Sequence, residues 1–376
     1  MSLLAAHAIM LADGVRGSAY RDAIHAAVRP GDVVVDLGTG TGLLAFFACQ
    51  AGARRVFAIE RDASLVGLAG AVARANGCAD VITFVAATSA AIELPEPADV
   101  IVTETLGHFA LEEQIVHALA DARARWLKPG GRIIPADVTL VVAPVDSAES
   151  ARRIAFWGGE RFGIDFRAAR RWAADAFDAI CVTPDDLLAS PQPFVSVRLD
   201  TLRLPPPACW AGELAFEMRR PGHLSGLAGW FEATLVPGVQ LTTAPGAPGT
   251  HWKHAVFALE TPIGVEAGDR LTVALGALVD GRSVVWSWRG EVERPRRARV
   301  AFDHSTIDEV TAGRASQTAV PAATPLFEAA AAAAPHLDGT TTVGELAERL
   351  RLRFPDRYPS LARAVADVAL VVRALA

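Results

Sequence analysis

The chain has 376 residues, enough for two or three domains, and 51% of them are hydrophobic, so a large core is available. Its 36 basic against 42 acidic residues leave a net charge of −6, which argues against a nucleic-acid backbone as the main partner. No apolar run approaches the ~18 residues of a membrane span, no basic residue precedes the apolar start as in a signal peptide, and Cys49, Cys78, Cys181 and Cys209 lack zinc or CxxC spacing, so the expectation is a cytoplasmic protein with reduced thiols, no membrane and no metal.

Residues 1–28 carry apolar side chains at helical spacing, broken at Asp13-Gly14, and predict a helical preface. From 29 to 136, short apolar runs at 33–36, 55–59, 82–85, 100–103 and 132–134 alternate with helical segments. That alternation predicts an α/β fold, a doubly wound parallel sheet of the Rossmann-like kind. From 137 to 296 the runs are short and parted by Pro and Gly, as in a β-barrel-like domain of mostly antiparallel strands. A helical arm near 163–182 interrupts it. Over residues 166–180 Phe166, Trp172, Ala176, Phe177 and Ile180 form an apolar stripe that calls for a partner surface, hence a homodimer. Residues 297–376 read as a small α-rich domain, with helices expected at 328–334, 343–354 and 360–375.

Two constellations carry chemistry. The first strand ends at Asp36 and runs into Gly38, Gly40 and Gly42, and the second ends on Glu60. Glycines let the backbone approach a ligand where side chains would collide, and the acid stands where a βαβ unit reaches ribose hydroxyls. The turn is GxGxG, with Leu43 where a dinucleotide fingerprint wants a third small residue. An acid beside the ligand suits a cation better than a pyrophosphate. S-adenosyl-L-methionine carries an ammonium, a sulfonium and a ribose, so a methyl-donor site is the best reading. The fourth strand ends at Glu104, and Glu104 and Glu113 flank a turn at Gly107-His108. Two carboxylates facing one cavity need a positive partner, and a guanidinium, with its planar fork of donors, is the natural one. The adjacent Glu112 is an alternative second acid.

Taken together, MLADGVRGSAYRDAI at 10–24, the glycine turn, TETLGHFALEE and GTHWKHAVF at 249–257 resemble the protein arginine methyltransferase family over about residues 5–293. The resemblance implies that Glu104 and Glu113 hold the substrate guanidinium and that His251 of Thr250-His251-Trp252 lies beside the pocket, paired with Asp13. It further implies that His7 and Arg16 contact the donor and that Met10, with Trp252, borders the acceptor. Where the family tends to place an acid against the adenine, this chain has Thr88-Ser89-Ala90-Ala91, with Ser89 as the candidate. The family's aromatic segment over the donor precedes the His7 position, so another element is expected to act as the lid here. Residues 337–375 resemble the PqqD-type fold, which binds leader peptides of ribosomally made natural products. The implied function is an S-adenosylmethionine-dependent N-methyltransferase of arginine in a peptide or protein. The alternatives are a methyltransferase of a small guanidino or amino metabolite, or a catalytically weak binding scaffold.

Overall fold

The computed structural model describes residues 3–279, 284–294, 298–306 and 341–355, with scattered positions from 358 to 368. It divides into two compact units, Met1–Asp308 and Glu309–Ala376.

The first unit begins with α1 (Leu3–Ala12) and α2 (Gly14–Ala27). Asp13 separates them and caps α2 by accepting the Arg16 N–H at 2.9 Å, one of the donors a helix start leaves unpaired. There follow β1 (Val33–Leu37), α3 (Leu43–Gln50), β2 (Arg55–Glu60), α4 (Ala63–Ala75), β3 (Ile82–Ala86), β4 (Ala98–Thr103), α5 (Ile115–Trp126) and β5 (Leu127–Ile134). The strands lie in the order β3-β2-β1-β4-β5, with every pair parallel. Val33, Val34 and Val35 are all buried, as a strand covered on both faces requires. The chain winds one way from β1 to β3 and then returns to β4 on the other side of β1. The carboxyl ends of β1 and β4 therefore border the crevice where such sheets bind ligands.

The rest of the unit comprises β6 (Asp137–Val145), α6 (Ala148–Phe156), β7 (Glu160–Arg161), β8 (Ile164–Asp165), α7 (Arg170–Ala174), β9 (Phe177–Ile180), β10 (Gln192–Arg198), β11 (Cys209–Glu217), β12 (Gly222–Val236), β13 (Val239–Thr242), β14 (His254–Val265), β15 (Arg270–Val279), β16 (Val284–Glu293) and β17 (Val300–Ser305). Two antiparallel sheets, β10-β6-β12-β14-β9 with β13 on β12, and β11-β15-β16-β17, make the barrel-like body. Burial alternates along β15, so one face of its sheet turns to the core. Phe109, from the loop after β4, packs against Phe257 at 5.7 Å and Trp286 at 5.0 Å between ring centroids. That aromatic cluster moors the loop to the barrel.

Two expectations need correction. The segment 166–180 is helical only as far as Ala174; Phe177–Ile180 is strand β9, paired with β14. Its stripe therefore divides, with Ile180 buried and Phe177 packed against Phe257, while Trp172 stays exposed alongside Phe156, Phe162 and Ile164. The barrel also runs past residue 296, because β17 pairs with β16 from Val300 to Ser305.

In the second unit α8 (Val343–Arg353) opens with a capping box between Thr342 and Glu345. Its Leu346, Ala347 and Leu350 are buried with Tyr358, Ala364 and Val368. The helix expected at 328–334 and most of that expected at 360–375 lie outside the described residues. No described helix is long and apolar enough to cross a membrane.

Candidate active site

The turn after β1 is a backbone floor. Gly38 and Gly40 have φ of +77° and +54°, and a Cβ on Gly40 would stand 2.8 Å from the His7 ring, while one on Gly38 would stand 3.1 Å from the Thr105 methyl. Glycine is needed there on both counts. Glu60 clasps the turn from β2: Oε2 accepts the Gly40 N–H and Oε1 the Asp62 N–H, both at 3.0 Å. Asp36 is wholly buried below, its Oδ2 accepting from Thr39 Oγ1 at 2.5 Å and from the Ala45 N–H at 2.9 Å. Burial pushes its carboxyl up to about 7 against those hydrogen bonds, and its Oδ1 has no partner.

The loop after β4 carries the acids. Glu104 Oε2 accepts the Arg16 Nε–H at 2.7 Å, with both side chains under a tenth exposed. Arg16 Nη1 also donates to the Met10 carbonyl at 2.9 Å, which joins the end of α1 to the acid loop. Burial pushes Glu104 up to about 7 although Arg16 pulls it down. Glu112 is likewise pushed up to about 7 by burial. Glu113 is exposed as a residue, yet neighbouring atoms desolvate its carboxyl enough to raise it against the pull of Arg61.

Behind this loop His251 Nδ1 lies 2.8 Å from Asp13 Oδ2, which also accepts the His251 backbone N–H at 2.8 Å. Burial raises Asp13, but hydrogen bonds from Arg16 and His251 outweigh it and hold the carboxyl below its usual range. Burial lowers His251 in spite of Asp13. A neutral ring beside an ionised carboxylate carries its proton on Nδ1. Two residues on, Lys253 donates its backbone N–H to His108 Nδ1 at 3.2 Å, so the segment 251–253 grips the acid loop as well.

One cavity of about 820 Å³ joins the two loops. Of the residues singled out from the sequence, His7, Met10, Arg16, Gly38, Gly40, Glu60, Ser89, Glu104 and Glu113 line it. Asp36, Gly42, Asp13, His251 and Trp252 stand outside its lining. Asp36 and Gly42 shape the turn from beneath, so the idea that Asp36 meets the ligand's cation directly does not hold in this geometry. Asp13 and His251 brace Arg16 from behind, and Trp252 is buried against Phe231 with ring centroids 5.1 Å apart. Arg61 lines the cavity without having been singled out; its place directly after Glu60 is the signal that points to it.

The sequence and fold have close counterparts. Residues 136–279 match the family model of the arginine methyltransferase oligomerization subdomain, and residues 21–138 match that of ribosomal protein L11 methyltransferase (PrmA). Protein arginine N-methyltransferase 6 of Xenopus tropicalis is 32% identical over 279 residues, covering 71% of this chain and 81% of that protein. Protein arginine N-methyltransferase 2 of Homo sapiens is 30% identical over 295 residues, covering 74% and 67%. Among solved structures, the Trypanosoma brucei PRMT1 enzyme-prozyme heterotetrameric complex with AdoHcy superposes with a TM-score of 0.73 at 27% identity, covering 80% of this chain and 98% of that one. Arabidopsis thaliana protein arginine methyltransferase 10, in an open conformation, gives 0.69 at 26% identity, covering 80% and 96%. With such relatives, and with an acid-lined crevice at the carboxyl ends of β1 and β4, the chain belongs to the protein arginine N-methyltransferase family.

Proposed function

We propose that this protein transfers a methyl group from S-adenosyl-L-methionine to the guanidinium of an arginine in a peptide or protein. The observation that carries the reading is the single cavity with a glycine floor and Glu60 at one end and Glu104 and Glu113 at the other. The donor fits the residues present, since Gly38 and Gly40 present bare backbone to the cavity. Glu60, already oriented by two N–H groups, keeps lone pairs for ribose hydroxyls. His7 and Arg16 face the donor's amino-acid end, and Ser89 and Thr88 its base. The apolar Leu3, Ala6 and Leu11 of α1, which line the cavity, act as the cover.

Bound there, S-adenosylmethionine supplies an electrophilic methyl on a sulfonium. Glu104 and Glu113 bind the acceptor guanidinium, whose pKa above ~12 makes it a poor nucleophile. Their carboxylates draw its positive charge toward the nitrogens they hold and leave the remaining nitrogen richer in electrons. Glu104, with its affinity for a proton near neutrality, takes up the one released. Asp13 and His251 are positioning residues, which hold Arg16 and through it Glu104. Alignment of the two reactants contributes on the order of 7–11 kcal/mol.

Three finer assignments belong to the same proposal. Residues 29–136 are the donor domain and the barrel-like body the acceptor domain; the helical C-terminal unit is a PqqD-like module for the leader of a ribosomal precursor peptide. The exposed Phe156, Phe162, Ile164 and Trp172 form a homodimer contact. The protein works in the cytoplasm, where free cysteines such as Cys181 and Cys209 stay reduced. The test is mass spectrometry of peptides incubated with the purified protein and S-adenosylmethionine. Methylation on arginine is expected; transfer only to lysine or to a small amine would overturn the proposal. Removing residues 309–376 should leave transfer to short arginine peptides intact and weaken it only for leader-bearing precursors.

A further inference from the structure

The acid loop carries one carboxyl more than that mechanism uses. Glu112 Oε2 accepts the Phe109 N–H at 3.1 Å, but its Oε1 is enclosed and has no hydrogen-bond partner. The side chain lines the same cavity as Glu104 and Glu113. Leaving a buried carboxylate oxygen unmet is costly, more so than for a neutral group. The loop is nonetheless built around it, because Gly107, with φ of +58°, leaves no room for a Cβ beside the Glu112 side chain. Meanwhile Arg16 occupies Oε2 of Glu104. An arginine guanidinium presents five N–H donors in a planar fork, and Glu104 meets it with one of its two oxygens already engaged.

Building on the reading of this cavity as an arginine site, we infer that Glu112 is a third acceptor-binding carboxyl. Its Oε1 takes an N–H of the incoming guanidinium, in place of the Glu104 oxygen held by Arg16. The surroundings of Glu112 favour that exchange. Glu113 is the charged group facing it, and it repels the ionised form; the other nearby groups are loop N–H groups, and burial leaves the carboxyl at about 7. An entering cation would supply the positive charge that this surrounding lacks. The acceptor pocket is then selective for charge as well as shape, discriminating a guanidinium from an isosteric urea by three carboxyls.

The test is calorimetry of the full-length protein loaded with S-adenosylhomocysteine. The probes are a glycine-flanked arginine peptide and the same peptide with citrulline. Glu112→Gln keeps the shape and the oxygen that accepts from Phe109, and removes the charge. It should cut the preference for arginine over citrulline about tenfold, the worth of one hydrogen bond to a charged group. The ratio within one variant does not depend on the folded fraction, so a partly misfolded preparation still reports. If Glu104→Gln lowers the ratio and Glu112→Gln leaves it at the wild-type value, the third carboxyl is excluded and the arginine site stands. If the wild type itself does not prefer arginine to citrulline, the arginine site falls too.

Discussion

Two loops leave the carboxyl ends of the neighbouring strands β1 and β4, and acids hold the first and lie in the second, where they serve opposite ends. In the first, Glu60 and Oδ2 of Asp36 accept hydrogen bonds from the chain's own N–H and hydroxyl groups. Those hydrogen bonds fix the shape of the turn, and Glu60 is oriented before any ligand arrives. In the second, Glu104, Glu112 and Glu113 have raised pKa values, and Arg16 is the one cation hydrogen-bonded to them among the described residues. There charge is concentrated and left for a ligand to neutralise. Rigid backbone suits a donor that must be placed, and unmet charge suits an acceptor that must be polarised.

The strongest way to break this division is to neutralise the second loop alone. Glu104→Gln or Glu113→Gln should lower methyl transfer to an arginine peptide by about 10²-fold or more, as loss of a preorganised electrostatic group does. Affinity for S-adenosylhomocysteine, measured by calorimetry, should stay at the wild-type value. Donor binding lost together with transfer would mean that the loops do not divide the work.

The complementary change is Gly40→Ala in the first loop. The new methyl would need a left-handed backbone, costing roughly 1–2 kcal/mol, and would press on the His7 ring, 2.8 Å away. Donor affinity should fall about tenfold, while a saturating donor concentration restores the transfer rate. A lower rate at saturation would show that the glycine turn also shapes the acceptor side.

The two loops were not equally legible in the sequence. The glycine spacing and Glu60 mark the first from residues alone, because backbone conformation leaves a compositional trace. The second was legible as a pair of acids around a turn, but its electrostatics depend on partners distant in sequence. Nothing in the spacing says that Arg16 reaches Glu104 or that Glu112 loses its solvent. The same limit explains the arm: FRAARRWAADAFDAI has helical propensity throughout, yet pairing with β14 takes its last residues into a strand. β17 leaves little trace in the sequence because its residues, VAFDHS, alternate weakly and follow the basic stretch around Arg294, which has the composition of a domain boundary.

The smallest predicted effect is a dependence of stability on pH. A carboxyl raised from 4.5 to about 7 on folding binds its proton more tightly in the folded state than in the unfolded chain. The contribution of such a carboxyl to stability therefore falls as pH rises from about 4.5 to about 7 and levels off above, the reverse of the usual salt-bridged acid. Asp36 adds a trend of the same sign, but it is present in both proteins when wild type is compared with Glu112→Gln. In the donor-free protein the variant should match wild type at the acidic end of that window. It should gain on the order of 1 kcal/mol by its alkaline end, since Gln has no charge to bury. Thermal unfolding at a series of pH values gives the difference directly. A gap between the two proteins that stayed constant across the window would mean that Glu112 ionises as freely folded as unfolded, and the second loop would then store no charge there.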